Sequence, residues 1–145
     1  MRKGFLKFIG IILWNALTLS LYANTTWVQG IISTNTVWAP AGSPYIVIGN
    51  VLVDSGVTLD IEPGVEVKID SVKYIMVKGN LYAIGTQADS ILITRRGTAR
   101  WQRLWFKTAS RCSLKYCRIE YADNSAIYKE GSDSIYICHN TISNS

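Results

Sequence analysis

The chain has 145 residues, with 15 Lys and Arg against 10 Asp and Glu, a formal net charge of +5. Hydrophobic residues make up 48% of it, which excludes intrinsic disorder. The length suits one domain. Arg2, Lys3 and Lys7 precede an uncharged stretch from Phe8 to Leu21. A short basic segment before so brief an apolar run is the pattern of a secretory signal peptide, with cleavage expected after Ala23; an uncleaved N-terminal anchor is the alternative, but a spanning helix needs roughly 20 apolar residues. Residues 24–145 then carry 12 cations and 10 anions, a net of +2, so the basic pI is no sign of nucleic-acid binding.

Beyond Ala23, Ile, Val and Thr number 15, 10 and 10, whereas Leu, Ala and Glu number only 6, 8 and 4. β-branched side chains fit a pleated surface and Ala, Leu and Glu favour helices, so an all-β domain is expected. Residues 24–44 read as an N-terminal extension or cap, and 45–145 as the repeating body. Within the body, Tyr45-Ile46-Val47-Ile48 leads through Gly49-Asn50 into Val51-Leu52-Val53. Runs at 57–61 and 65–69 alternate apolar with polar residues, as strands with one dry face do, and Pro63-Gly64 between them signals a type II turn. Tyr74 to Lys78 leads through Gly79-Asn80 into Leu81-Tyr82-Ala83, a near copy of the first block at an offset of 30. Further runs lie at 91–93, 104–106, 114–119 and 135–142. Such recurrence predicts stacked coils, about four in number, with Gly49, Gly56, Gly64, Gly79 and Gly85 at the turns. An antiparallel sandwich is the competing architecture.

The stretch from Thr36 to Lys68, above all Leu59-Asp60-Ile61-Glu62-Pro63-Gly64-Val65, resembles the opening of secreted bacterial right-handed parallel β-helix proteins of the pectin-lyase-like type. The likeness continues through Gly79 to Thr86, Ile91 to Thr94 and Ser113 to Ala122, and fades after His139. It implies three parallel strands per coil, a hydrophobic interior, and loops on one side that carry ligand contacts. Relatives tend to have Trp-Gly-Gly-Ile where this chain has Trp101-Gln102-Arg103-Leu104. The last coil lacks partner strands, which reads as the N-terminal part of a longer protein.

Catalytic and metal-binding signatures are sparse. The carboxylates are dispersed, His139 is the sole histidine, and no phosphate-binding glycine motif occurs. Glu62 and Glu66 flank a turn whose sequence is structural in the resembling family. No cofactor, metal or catalytic residue is expected. Cys112, Cys117 and Cys138 read as small buried hydrophobes, with one strained or inter-rung disulfide as the alternative, and a five-residue separation would put the first two on opposite faces of one strand. The distinctive feature is Arg95, Arg96, Arg100, Arg103, Lys107, Arg111, Lys115 and Arg118, with no acid between Asp89 and Glu120. Interleaved with Trp101 and Trp105, this segment nominates Arg96, Arg100, Trp101, Arg103 and Trp105 as glycan-binding residues. The expected function is a non-catalytic scaffold, secreted or on the cell surface. Its expected partner is polysaccharide or another envelope component, with no stable membrane anchor once the signal is removed. The alternative is the N-terminal fragment of a carbohydrate-active enzyme or of an adhesin.

Overall fold

A computed structural model describes residues 24–108, 111–131 and 134–144. The signal-peptide segment, residues 1–23, lies outside the described residues. Every strand pair is parallel, and the partners are distant in sequence. Parallel strands need a long crossover, and here that crossover is the rest of a coil. The chain therefore winds as a β-solenoid with three faces.

The first turn is β1 (Thr26–Ile32), which bends across faces 1 and 2, followed by β2 (Thr36–Trp38) on face 3. The second turn repeats this with β3 (Tyr45–Val53) and β4 (Thr58–Ile61). Separate strands then serve each face: β5 (Glu66–Ile69), β6 (Ile75–Val77) and β7 (Asn80–Ile84) in the third turn. The fourth has β8 (Ile91–Arg95), β9 (Leu104–Lys107) and β10 (Arg111–Lys115). The fifth has β11 (Cys117–Glu120), β12 (Ile127–Glu130) and β13 (Ser134–Cys138), after which β14 (Thr141–Ser143) begins another turn on face 1. There are about five turns where block counting suggested four, because residues 24–44 form the first of them.

The coil repeat is not the 30-residue offset read from Gly49 and Gly79. Leu59 stands beside Leu81, 22 residues on, and Val51 beside Ile75, 24 residues on. Gly49 lies at the bend between faces 1 and 2, whereas Gly79 lies between faces 2 and 3. The two blocks match because successive sides of a coil share one local grammar, an apolar strand ending in a tight corner. They are one turn plus one side apart. The corner glycines also divide by cause. Gly64 has φ +77° in the Glu62–Val65 turn, as expected of Pro63-Gly64. Gly79 has no such φ, but a Cβ there would stand 2.1 Å from the Val57 carbonyl oxygen and 2.3 Å from that of Asp54. Close backbone approach, not chirality, keeps that position glycine.

Alternation along each strand sends every second side chain inward. Val53, Val77 and Phe106 form one fully buried column, Leu59, Leu81 and Cys112 another, and Val67, Ile93 and Ile119 a third. Each buried aliphatic side chain contributes about 1.5–3 kcal/mol. At the first turns the column is closed by Trp38, stacked on Tyr45 at 4.8 Å between ring centroids. The Tyr45 hydroxyl accepts a hydrogen bond from the Ala39 amide at 2.9 Å.

Two expected single runs, 114–119 and 135–142, are each a pair of strands around a corner. Tyr116 and His139 take left-handed conformations there, φ 50° and 54°, and their rings stack at 4.9 Å. That corner corrects the cysteine reading. Cys112 and Cys117 lie on different faces, β10 and β11, and both point inward. All three cysteines are free thiols. Asn140 fastens the corner: its Oδ1 accepts the Cys117 amide and its Nδ2 donates to the Leu114 carbonyl, both at 2.7 Å.

Candidate functional site

Faces 1 and 2 of the fourth turn are joined by the long corner 96–103, and the extra residues widen the spacing there to 29 between Ile75 and Leu104. The eight-cation segment spans this corner and continues round the coil. Arg103 precedes β9 on face 2, Lys115 ends β10 on face 3, and Arg118 lies in β11 on face 1. Residues 95–118 thus make one circuit, so the charge run is a belt and not a patch.

The five nominated residues separate accordingly. Trp101 is fully buried, and its indole N–H donates to the Glu120 carbonyl in the next turn at 2.7 Å. It fills the interior at the long corner and offers no ring face to a ligand, which removes it from the candidate set. Arg100 donates to the Ala122 carbonyl at 2.7 Å and to the Asn144 carbonyl, tying the fourth turn to the fifth and to β14. Arg96 pairs with Asp70 at 3.2 Å and lies over the Trp27 ring at 4.8 Å. Both arginines are engaged within the molecule.

Arg103 and Trp105 come together in an open groove of about 300 Å³ on face 2, with Gln102, Tyr128 and Glu130 as the other walls. Trp105 projects outward because Leu104 and Phe106, its neighbours on β9, are buried. Its register partners continue the row: Ile31, Leu52, Met76, Trp105 and Tyr128 occupy successive turns on the outer side of face 2. Neighbouring rungs of such a row are ~4.8 Å apart. Tyr74 and Tyr128 meet the Trp105 ring edge to face, at 5.9 and 6.1 Å between centroids. The indole N–H donates to Glu130 Oε2 at 3.1 Å, and Lys107 Nζ reaches Glu130 Oε1 at 3.7 Å. The aromatic platform is therefore held at its polar edge.

Arg103 sets the charge of the groove. Its guanidinium lies 5.0 Å above the Tyr128 ring, while its Nε is buried and meets no hydrogen-bond acceptor among the described residues. A desolvated guanidinium donor lacking a partner is costly and ready to accept one. Sequence reasoning missed Tyr74, Tyr128 and Glu130. The signal available for Tyr128 was its spacing of 23 from Trp105, which is the local coil repeat and becomes meaningful only once that repeat is known.

Among the described residues no group of three or more His, Cys, Asp and Glu side chains is placed to hold a metal ion. A smaller recess of about 180 Å³ lies on the opposite corner, lined in part by Tyr116, Arg118 and His139. Arg118 is paired there with Glu120 at 2.8 Å. No protein-family profile, curated protein or solved structure matches this chain. The class is thus defined by the fold itself: a parallel β-solenoid, all-β among the described residues apart from the 3-10 turn Pro40–Gly42.

Proposed function

We propose that this chain is an exported, non-catalytic β-solenoid scaffold that binds polysaccharide along face 2. The basic start followed by the short apolar run Phe8–Leu21 supports export, which places the domain outside the cytoplasm, at the cell surface or beyond. The observation that carries the binding reading is the Trp105–Tyr128 pair beside Arg103. Flat aromatic faces suit the apolar faces of sugar rings, and a guanidinium grips carboxylate or hydroxyl oxygens. Trp105 and Tyr128 stand on successive turns along the solenoid axis, which suits a linear polymer better than a small isolated molecule.

Titration of the intrinsic tryptophan fluorescence with polygalacturonate, alginate and a neutral glucan tests this. Trp105→Ala and Arg103→Ala should each weaken binding about tenfold, the loss of a well-placed contact worth roughly 1.4 kcal/mol. A variant with Arg96→Ser and Arg100→Ser should keep its affinity once folded. Unchanged affinity in a Trp105→Ala, Arg103→Ala double variant refutes the site. Full-length chain recovered only from the cytoplasm refutes export.

A further inference from the structure

We propose that the amino-terminal end of the solenoid is a self-association surface, on which a second copy of this chain docks about a twofold axis. Among the described residues the first turn is an open edge: β1 pairs there only with β3, and β2 only with β4. Exposed edges are ordinarily blunted by charge. Residues 24–44 contain no Asp, Glu, Lys, Arg or His. Their outward side chains include Trp27, Ile31 and Val37, which are 56%, 66% and 55% exposed.

The fifth turn is built differently. Lys129 occupies the register position of the buried Phe106, with Glu130 next to it, so charge sits where the interior column would continue. In the first turn β1 covers faces 1 and 2 and β2 covers face 3, so the described edge is complete on all three faces.

That completeness makes the edge self-complementary. A twofold axis through the bend of β1 near Gln29, and through Val37 on the opposite face, exchanges faces 1 and 2. It lays the Thr26–Val28 half of β1 antiparallel to the Gly30–Ile32 half in the second copy, and β2 antiparallel to its own counterpart. Trp27 then faces Ile31 of the other copy, and Val37 faces Val37. The side chains that meet are uncharged, and Arg96, which lies over the Trp27 ring, is itself paired with Asp70. The contact is isologous and closes at two copies, whereas head-to-tail stacking would leave an open filament.

The inference rests on the removal of residues 1–23 proposed above, and the two can fail separately. Intact mass of the exported protein reports whether residues 1–23 are gone. The dimer is read from the chain beginning at Asn24, which keeps the whole buried core, since its first buried side chain is Trp38. Light scattering coupled to size exclusion should give twice the chain mass. Ile31→Lys with Val37→Lys should give the single-chain mass with an unchanged β spectrum, because the two Val37→Lys side chains would stand directly opposite one another and repel, while Ile31→Lys would set a charge against Trp27. Val72→Lys and Ile137→Lys, at positions 70% and 45% exposed and away from this edge, should remain dimeric. A monomeric wild type, a dimer that survives the double lysine variant, a ladder of larger species, or dissociation by Ile137→Lys would each overturn the proposal.

Discussion

Replacing Trp101 is the sharpest test of how the long corner is built. Its ring is fully buried and its N–H satisfies the Glu120 carbonyl in the following turn. Trp101→Ala removes the largest of the fully buried side chains, and such truncations cost about 3–5 kcal/mol. Leaving a buried carbonyl without its donor costs about 1–3 kcal/mol, part of which is already inside that figure. Trp101→Phe separates the two: it keeps a ring and loses the hydrogen bond, so its cost should be about 1–3 kcal/mol. With a urea slope of about 2 kcal/mol per molar, the alanine variant should shift the midpoint down by about 2 M. In a solenoid each turn contacts only its neighbours, so the damage should be local. Amide exchange should accelerate at Leu104 and Ile119, in turns four and five, while Leu59 in turn two keeps its protection. Polysaccharide affinity of the folded Trp101→Phe variant should be unaltered. An alanine variant with the wild-type midpoint, or a phenylalanine variant that is fully stable and has lost ligand binding, would refute a purely internal role for Trp101.

Burial pushes the Cys112 thiol up to about 11 and the Cys117 thiol up to about 12, from an ordinary value of 9.0, desolvation of the thiolate being the main cause. Native protein at pH 8 should therefore label once with a thiol reagent, at half-buried Cys138, and three times only when unfolded; three rapid equivalents in the native state would contradict the packing. The same shifts fix the sign of a pH effect. Above pH 9.0 the unfolded chain sheds thiol protons that the native protein retains, so stability present below that pH falls as pH rises toward 11 and 12. Denaturant midpoints should show this alkaline limb, and a Cys112→Ala, Cys117→Ala variant should flatten it. Gly79→Ala forces a methyl onto the carbonyl oxygens of Val57 and Asp54 and should cost at least about 1–3 kcal/mol, whereas Gly97→Ala meets nothing within 4 Å and should leave the midpoint in place. Equal midpoints for the two glycine variants would show that the corner can open.

Much of the secondary structure was legible because it is local. The alternation at 57–61 and 65–69 marks β4 and β5, and Pro63-Gly64 marks the turn between them, since backbone conformation and one-sided burial are written within a few residues. Corners were harder. Cys112 and Cys117 differ by an odd number and Trp101 and Trp105 by an even one, so strand parity puts the cysteines on opposite faces and the tryptophans on one. The structure does the reverse: both cysteines face in, while Trp101 faces in and Trp105 out. A corner residue such as Tyr116, in the left-handed region, or the bend at Gln102 and Arg103, resets the alternation, and nothing in composition announces it.

The candidate site divided along the same line. Arg103 and Trp105 were identifiable as a cation and an aromatic in a charge-rich segment, but so were Arg96, Arg100 and Trp101, which the fold uses for an ion pair, a tie between turns and interior filling. By itself the amino-acid order determined the β-rich character, the dry and wet sides of individual strands and the need to stack, because each follows from side chains a few positions apart. Only the tertiary structure decided the coil length, the wrapping of residues 95–118 into a belt, and the meeting of Trp105 with Tyr128 across one turn. Those depend on how many residues each corner consumes, and that number is set by backbone contacts between turns that no single stretch of chain contains.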